Sequence, residues 1–297
     1  MLTRRWRSLR QRIWRARKVL SYFRLQTRRD LMIVAQFLGL TLWEAARLRL
    51  RNHRTVTCSC CGWTGNVFFP VYWVEQIEKN SRCPRCYAEQ RHRLVWRYLR
   101  ERLGLSGLRP AHVLHVSPER GIQAALKASP GVRYVAVDLT ADPLAAATDV
   151  RMDITALAFV DRVFDAIICN HVLEHIPDDR QAMAELRRVL KDDGYAIVMV
   201  PIMDIPQTVE YGRADPREWD HVRRYGRDYL LRLVGAGFQV TVDAYAYELP
   251  DAVVARESLY REPIFVVRRG PQHPPGVVGS LPDRLPWQPT ERLSATE

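Results

Sequence analysis

The chain has 297 residues, of which 47% are hydrophobic and 26% are charged. This composition excludes a wholly disordered chain and suffices for one α/β domain with smaller additions. The formal net charge of +12 is unevenly placed, because residues 1–54 hold 15 Arg and Lys against 2 Asp and Glu, whereas residues 55–297 hold 30 against 31. A nucleic-acid binder with a basic surface over its whole body is therefore not expected.

The N-terminal arm, residues 1–54, is predicted to contain two helices. Apolar residues recur every three or four positions through residues 1–29, with arginines between them, which indicates a basic amphipathic helix. Residues 31–46 are almost wholly apolar, but they fall short of the ~20 residues that cross a bilayer. We expect the arm to lie on an anionic membrane surface. The alternatives are packing on the protein itself, pairing with a second copy, or contact with RNA, and the pattern leaves the oligomeric state open.

The start of the chain does not have the shape of a cleavable signal peptide, because a long basic stretch precedes the apolar stretch. We therefore expect a cytoplasmic protein that associates through its arm with the inner face of the membrane. In a reducing cytoplasm, clustered cysteines are more often metal ligands than disulfide partners.

Five of the six cysteines lie close together in the sequence. Cys58 and Cys61 form one C-x2-C pair, and Cys83 and Cys86 form a second pair 21 residues further on. Four thiolates in such pairs complete the tetrahedral shell of a structural zinc ion and leave no open position for catalysis. The pattern predicts zinc at these four residues, with a redox dithiol or a metal-free module as the alternatives. Cys60, inside the first pair, is expected to be a spare.

The rest of the chain divides into a zinc module with its linker (55–106), an α/β domain (107–269) and a Pro-rich tail (270–297) that is expected to lack a fold of its own. The linker is predicted to be helical over residues 88–103. In the α/β domain, buried strands alternate with helical patterns, which predicts a doubly wound parallel sheet closed by an antiparallel pair. The predicted strands are 112–116, 133–138, 163–169, 195–200, 238–244 and 264–268, and the predicted helices are 122–128, 178–190 and 227–236.

Two acidic residues follow predicted strands at positions suited to a nucleoside cofactor. Asp138 ends the second strand, about twenty residues after the first turn, as a carboxylate that accepts from ribose hydroxyls would. Asp153, with Ile154 beside it, suits the recognition of adenine after the third strand. The first turn is poor in glycine, since only Gly121 remains in register. The alternative is that both aspartates are ordinary strand-end and helix-cap residues.

Several segments in order resemble the class I S-adenosylmethionine-dependent methyltransferases. The segments Phe164–Asp178, Arg188–Gly194 and Tyr195–Pro201 are similar to the region between the fourth and fifth strands of that family. Cys83–Arg93 resembles the zinc-knuckle and linker segment of a branch of the family whose first turn is also poor in glycine and carries a Pro-Glu pair, as residues 118–119 do here. The resemblance covers residues 55–268.

The resemblance implies a Rossmann-like, seven-stranded methyltransferase sheet with a small zinc-ribbon-like module and N-terminal helices before it. It implies S-adenosylmethionine as the methyl donor, with Asp138 at the ribose and with Asp153 and Ile154 at the adenine. By the same resemblance, the methionine end of the donor is expected at three residues of the first turn, which are Ser117, Glu119 and Gly121.

The acceptor side is expected at the residues that follow the fourth strand and at a later histidine. Asn170, which ends that strand, is expected to line the donor site, and His171 next to it is a candidate base or orienting group. His221 is the second candidate base or acceptor ligand. The alternative for each histidine is a hydrogen-bonded structural role, which is also the expectation for Glu174 and His175.

The sequence is consistent with three functions. The leading one is methyl transfer to a small-molecule, glycan or lipid-linked acceptor, with segment 202–218 as a lid and with Arg223 and Arg224 as ligands for an anionic acceptor. The second is an RNA methyltransferase that grips phosphates through the zinc module and the basic arm. The third is a non-catalytic scaffold at the membrane that keeps the cofactor fold but need not bind the donor.

Overall fold

The computed structural model describes residues 56–72, 77–105, 111–139, 148–215, 218–270, 273–283 and 285. The predicted arm, residues 1–54, lies outside the described residues. Among the described ranges, no helix has the length and apolar character that crossing a membrane requires.

Two short antiparallel hairpins form the cysteine module. Strand β1 (Val56–Thr57) pairs with β2 (Thr64–Gly65), and the first cysteine pair lies in the loop between them. Strand β3 (Phe69–Tyr72) pairs with β4 (Ile77–Arg82), and the second cysteine pair follows β4 directly. The chain then enters helix α1 (Gln90–Glu101), close to the predicted linker helix. A capping box starts this helix, in which the backbone N–H of Glu89 donates to Nδ1 of His92 at 3.1 Å.

A buried arginine of α1 fastens the module to the rest of the chain. Arg93 is fully buried and donates to the carbonyls of Ala88 (2.7 Å), Glu257 (2.6 Å) and Ser258 (2.9 Å). Its guanidinium lies 3.9 Å from the centre of the Phe68 ring. Because carbonyl oxygens and an aromatic face surround the cation, its burial is compensated.

The parallel part of the main sheet follows the predicted alternation. Its strands are β5 (Ala111–Val116), β6 (Val132–Asp138), β7 (Val150–Arg151), β8 (Phe164–Asn170) and β9 (Leu190–Met199). Helix α2 (Arg120–Lys127) joins β5 to β6, and α3 (Asp179–Val189) joins β8 to β9. Strand β8 is buried at nearly every position, as expected of an apolar strand that is covered on both faces.

The second part of the chain adds antiparallel strands. The hairpin β10 (Val209–Asp215) and β11 (His221–Arg224) overlaps the segment that was predicted to be a lid. Next come helix α4 (Tyr229–Gly235), β12 (Gln239–Asp243), the helices α5 (Tyr245–Glu248) and α6 (Asp251–Glu257), β13 (Ile264–Arg268) and β14 (Gly276–Val278).

The main sheet has eight strands in the order β14-β12-β13-β9-β8-β5-β6-β7. Strand β13 runs antiparallel to both of its neighbours, and the five strands β5 to β9 are parallel. This is the Rossmann-like methyltransferase sheet with one strand more than the seven expected.

The additional strand corrects the prediction for the Pro-rich tail. Strand β14 pairs in parallel with β12, with Val277 opposite Val240, and Leu285 is buried further along. The expectation that segment 270–297 lacks a fold of its own is therefore wrong for this part. Three residues between proline-rich stretches carry too little periodicity to reveal a strand.

Candidate donor and acceptor site

The carboxyl ends of three neighbouring strands, β6, β5 and β8, define the candidate site. The backbone N–H of Ser117, just past β5, donates to Val137 O at 2.8 Å, and that of His171, just past β8, donates to Met199 O at 2.8 Å. Both residues then adopt a left-handed conformation, with φ of 48° and 53°. Such conformations are uncommon for residues with a side chain and occur often at functional sites. The chain thus leaves two adjacent strands through sharp turns at the edge where open α/β sheets bind ligands.

A buried carboxylate, Glu119, lies at the centre of the first turn. Its Oε2 is 2.6 Å from Nε2 of His115, and its Oε1 accepts from Nδ2 of Asn170 at 3.1 Å. Nε2 of His92, on α1, lies 3.7 Å from Oε1. Glu119 therefore joins β5, β8 and the cysteine module, and its oxygens are already engaged by the protein.

Hydrogen bonds assign the proton positions of the two histidines. Because a carboxylate only accepts, Nε2 of His115 carries a proton toward Glu119, and Nδ1 lies 3.0 Å from the Tyr134 hydroxyl. In His92, Nδ1 accepts from the Glu89 N–H, so Nε2 carries the proton that faces Glu119. Burial lowers the pKa of His92 to about 4, although the charge of Glu119 opposes that change. His92 is therefore neutral near pH 7.

The same contacts keep Glu119 ionised. Burial by itself raises the pKa of this carboxyl. The hydrogen bond from His115 and the electrostatic attraction of His115 and His92, the latter protonated at the low pH where Glu119 titrates, outweigh burial and lower the pKa to about 2. A buried, charged and fully engaged carboxylate fits a residue that shapes the turn rather than one that awaits a ligand.

Gly121 makes a close contact with the cysteine module. A Cβ at this position would lie 2.7 Å from Cβ of Ala88, 3.3 Å from Cβ of Cys60 and 3.3 Å from Sγ of Cys86. The glycine therefore lets the start of α2 pack directly on the module. The role at the methionine end of the donor, which the resemblance implies for Gly121, stays a prediction.

The two aspartates lie at the expected edge of the sheet. Asp138 ends β6 and is partly buried. Asp153 is exposed, and its Oδ1 accepts from the N–H and the hydroxyl of Thr155, both at 2.8 Å. The neighbouring Ile154 is buried and offers an apolar surface. Of the two carboxylates, Asp153 thus also has a local role in holding its own turn.

A small cleft beyond the carboxyl ends of β8 and β9 contains residues that the sequence did not single out. It is lined by Arg91, Val95, Asn170, His171, Met199 and Glu262. Among the described residues, Nε of Arg91 and Oδ1 of Asn170 are buried without a hydrogen-bond partner. Unpaired buried polar atoms are costly, so such a cleft is suited to a polar ligand. Arg91 belongs to the segment that carries the resemblance, but its position in the cleft depends on the packing of α1.

The histidines on the acceptor side form a second cluster. The rings of His175 and His221 are 4.7 Å apart in an edge-to-face arrangement, and Nδ1 of His171 lies 3.4 Å from Oε1 of Glu174. Burial lowers the pKa of His221 to about 4, while the charge of Glu174 acts in the opposite direction. The structure thus brings His171 and His221, the two predicted acceptor-side residues, to one carboxylate.

The two arginines that follow His221 are both engaged by the protein, and Arg223 is also buried. Arg223 is only 3% exposed, and it donates to the carbonyls of Leu173, Ile176 and Pro177 and to the carboxylate of Glu210. Arg224 pairs with Glu218 at 2.5 Å. The prediction that they bind an anionic acceptor is therefore wrong for Arg223, whose guanidinium fastens the turn after β8.

The four predicted zinc ligands converge. The Sγ atoms of Cys58 and Cys86 are 3.6 Å apart, those of Cys61 and Cys83 are 3.7 Å apart, and all four lie within 4.8 Å of one another. Tetrahedral zinc with bonds of ~2.3 Å holds its sulfurs about 3.8 Å apart, so this donor set fits the ion. Cys60 is excluded from the cluster, because its thiol points to the carbonyl of His92.

Comparison with known proteins agrees with the sheet topology. Residues 114–198 match the family model described as "Methyltransferase domain". This part of the chain is similar to that family. The match does not reach the cysteine module, so membership in a zinc-knuckle branch stays a prediction. No curated protein matches the chain.

Several solved structures resemble part of the chain in fold. The [4+2]-cyclase SpnF has 16% identity and a TM-score of 0.44, over 61% of this chain and 82% of its own. A 1,6-didemethyltoxoflavin-N1-methyltransferase from Burkholderia thailandensis, solved with S-adenosylhomocysteine, has 20% identity and a TM-score of 0.40, over 60% and 77%. A SAM dependent methyltransferase from Archaeoglobus fulgidus has 14% identity and a TM-score of 0.39, over 61% and 94%.

The cysteine cluster predicts that the purified protein carries about one zinc per chain. Cys83→Ser should release the metal and lower the melting temperature, because zinc binding is coupled to the folding of such modules. Cys60→Ser is the matched control and should keep the metal. Metal analysis and thermal unfolding of the three proteins measure this, and zinc loss in Cys60→Ser but not in Cys83→Ser would refute the ligand set.

The contacts of Glu119 predict a large effect of a nearly isosteric change. Glu119→Gln should lower the free energy of unfolding by ~1–3 kcal/mol, because it removes the charge that the buried groups face. Glu248→Gln, which alters an exposed ion pair with Arg102, should change it by less than ~0.5 kcal/mol. Urea unfolding at neutral pH compares the two, and equal effects would contradict the role of Glu119.

The neutral state of His92 predicts a dependence of stability on pH. Its pKa is about 4 in the folded chain against an ordinary 6.5, so between these values the unfolded chain takes up a proton that the folded chain does not. Stability should fall as the pH is lowered through this range, and less steeply in His92→Gln. Urea unfolding at a series of pH values gives both slopes, and parallel slopes would exclude this contribution.

Proposed function

We propose that the protein transfers a methyl group from S-adenosylmethionine to a small-molecule, glycan or lipid-linked acceptor. The observation that carries the proposal is the small cleft at the carboxyl ends of β8 and β9, where buried atoms of Arg91 and Asn170 lack partners beside a methyltransferase-type sheet edge. The topology and the family match support the class of reaction. The acceptor is inferred from the near-neutral body of the chain.

The residues at this edge suit the separate parts of the donor. Asp138 would accept from the ribose hydroxyls, and Ile154 would pack against the adenine, with Asp153 holding the turn. The guanidinium of Arg91 matches a carboxylate, and Oδ1 of Asn170 matches an ammonium group, as the methionine end requires. The donor supplies the electrophilic methyl group of its sulfonium.

The first turn acts on the donor mainly by position. Ser117 is exposed just past β5 and would line the methionine end with its backbone. Glu119 and Gly121 would shape that turn from behind, through the buried network and through the contact with the cysteine module. These two are therefore proposed as positioning residues.

The acceptor would bind on the side of His171 and His221. Methyl transfer requires a nucleophile held in line at about 3 Å from the methyl group, and a base only if the nucleophile must lose a proton. His221, neutral near pH 7, would orient an acceptor hydroxyl or receive its proton, and His171 would assist from the turn after β8. Zinc at Cys58, Cys61, Cys83 and Cys86 would be structural, because four thiolates leave it no open position.

Donor binding tests the proposal without knowledge of the acceptor. Asp138→Ala should weaken S-adenosylmethionine binding by at least ~10-fold, since it removes a charged acceptor of two hydroxyls. His221→Ala is the control from the acceptor side and should bind the donor within ~2-fold of the parent. Calorimetric titration of the three proteins gives these ratios.

Each outcome of the titration selects among the functions. A folded parent that does not bind the donor would favour the scaffold over both enzymes. A parent that binds it, with an Asp138→Ala variant that binds equally well, would refute the placement of the donor. Methyl transfer from labelled donor to RNA, but to no small-molecule, glycan or lipid fraction, would replace the proposed acceptor class by RNA.

A further inference from the structure

A second cluster of metal-type side chains lies apart from the cysteines. Glu174 and His175 belong to a short 3-10 turn, Leu173–His175, that follows β8, and His221 begins β11. Each offers one ligand atom, and these atoms all lie within 4.8 Å of one another. The three residues come from two segments that lie far apart in the chain, so the fold itself creates the cluster.

The carboxylate in this cluster has an unused oxygen. Glu174 is 1% exposed, and its Oε1 lies 3.4 Å from Nδ1 of His171. Its Oε2 is buried without a hydrogen-bond partner within the described part of the chain. An ionised carboxylate oxygen without a partner is costly to bury. Its position beside two imidazoles therefore indicates that this oxygen binds a ligand.

Buried hydrogen bonds and a sharp turn fix the positions of the three residues. Arg223 donates to the carbonyls of Leu173, Ile176 and Pro177, which holds the turn carrying Glu174 and His175 against β11. On the other segment, Trp219 and Asp220 both have left-handed backbones, with φ of 57° and 62°, immediately before His221. The sharp turn before His221 and the buried Arg223 side chain thus hold the two histidines beside the carboxylate.

We propose that Glu174, His175 and His221 bind one divalent transition-metal ion, separate from the zinc of the cysteine module. Two imidazoles and one carboxylate are a ligand set for ions such as zinc, manganese, iron or cobalt, whereas calcium and magnesium prefer oxygen ligands alone. Tetrahedral ligands of one ion at ~2.1 Å lie about 3.4 Å from one another, so the site closes if each ligand atom shifts by less than about an ångström. His171 holds the other carboxylate oxygen and acts as a positioning residue. With the ion bound, His221 would orient the acceptor through the ion and would not receive its proton.

The position of the site indicates the chemical class of the acceptor. This step rests on the proposed function. Three protein ligands leave coordination positions open, and the exposed side of His175 gives access to them. The turn that carries the site begins at Leu173, two residues after His171, which lines the cleft. An oxygen-bearing acceptor, with a hydroxyl or carboxylate that completes the metal shell, fits this place.

Cobalt titration tests the site in the full chain. With zinc already in the cysteine module, Co2+ should bind at about one further equivalent per chain and give weak visible bands without the thiolate charge-transfer absorption that cysteine ligation produces. His221→Ala and His175→Ala should each weaken this binding by at least ~10-fold. His112→Ala, at the opposite end of β5, is the matched control and should bind cobalt as the parent does.

Three results would overturn the site: no second equivalent of cobalt, thiolate absorption from that equivalent, or unchanged affinity in both His221→Ala and His175→Ala. Circular dichroism and zinc content show whether each variant folds, and the exposed His175 makes its variant the safer one. The Asp138→Ala variant distinguishes this proposal from the proposed function, because it should lose donor binding and keep cobalt binding. Cobalt binding without any donor binding would leave the site standing and refute the methyltransferase, whereas donor binding without cobalt would refute only the site.

Discussion

The arrangement of the candidate site depends on one buried charge. The Glu119 carboxylate is taken out of water and is stabilised by His115 from β5, Asn170 from β8 and His92 from α1. An ionised carboxylate without such partners would cost several kcal/mol to bury. The three elements must therefore stay together for the first turn to keep its shape, and Asn170 carries that constraint into the cleft.

The cysteine module is part of the same constraint. Gly121 brings α2 against the module, and Arg93 fastens α1 by four carbonyl contacts that involve both the module and the end of α6. Metal binding in the module and ligand binding at the sheet edge are thus expected to be thermodynamically coupled, although none of the four clustered cysteines lines the cleft. A structural ion can in this way influence a reaction in which it takes no part.

Local patterns revealed much of the fold but only part of the site. Strand β13 begins and ends where the apolar run 264–268 predicts, and β5 and β6 differ from their predictions by one residue, because buried runs leave a strong signal. Residues brought together by packing leave none, which is why Arg91 in the cleft and Arg223 on the turn were missed or misassigned. The ligand roles of Asp138, Asp153 and Ser117 stay predictions, since they depend on a donor and not on the fold alone.

Strand β14 has a consequence for the behaviour of the domain in a crowded solution. Without it, β12 would present a row of unpaired backbone groups, on which a strand of another chain can add and begin aggregation. Three residues from the Pro-rich segment cover that row. Prolines lie on both sides of these residues, namely Pro274, Pro275 and Pro282. Because proline has no backbone N–H to donate to a neighbouring strand, the new edge of the sheet stays short. The segment that reads as an unstructured tail therefore protects the sheet from self-association.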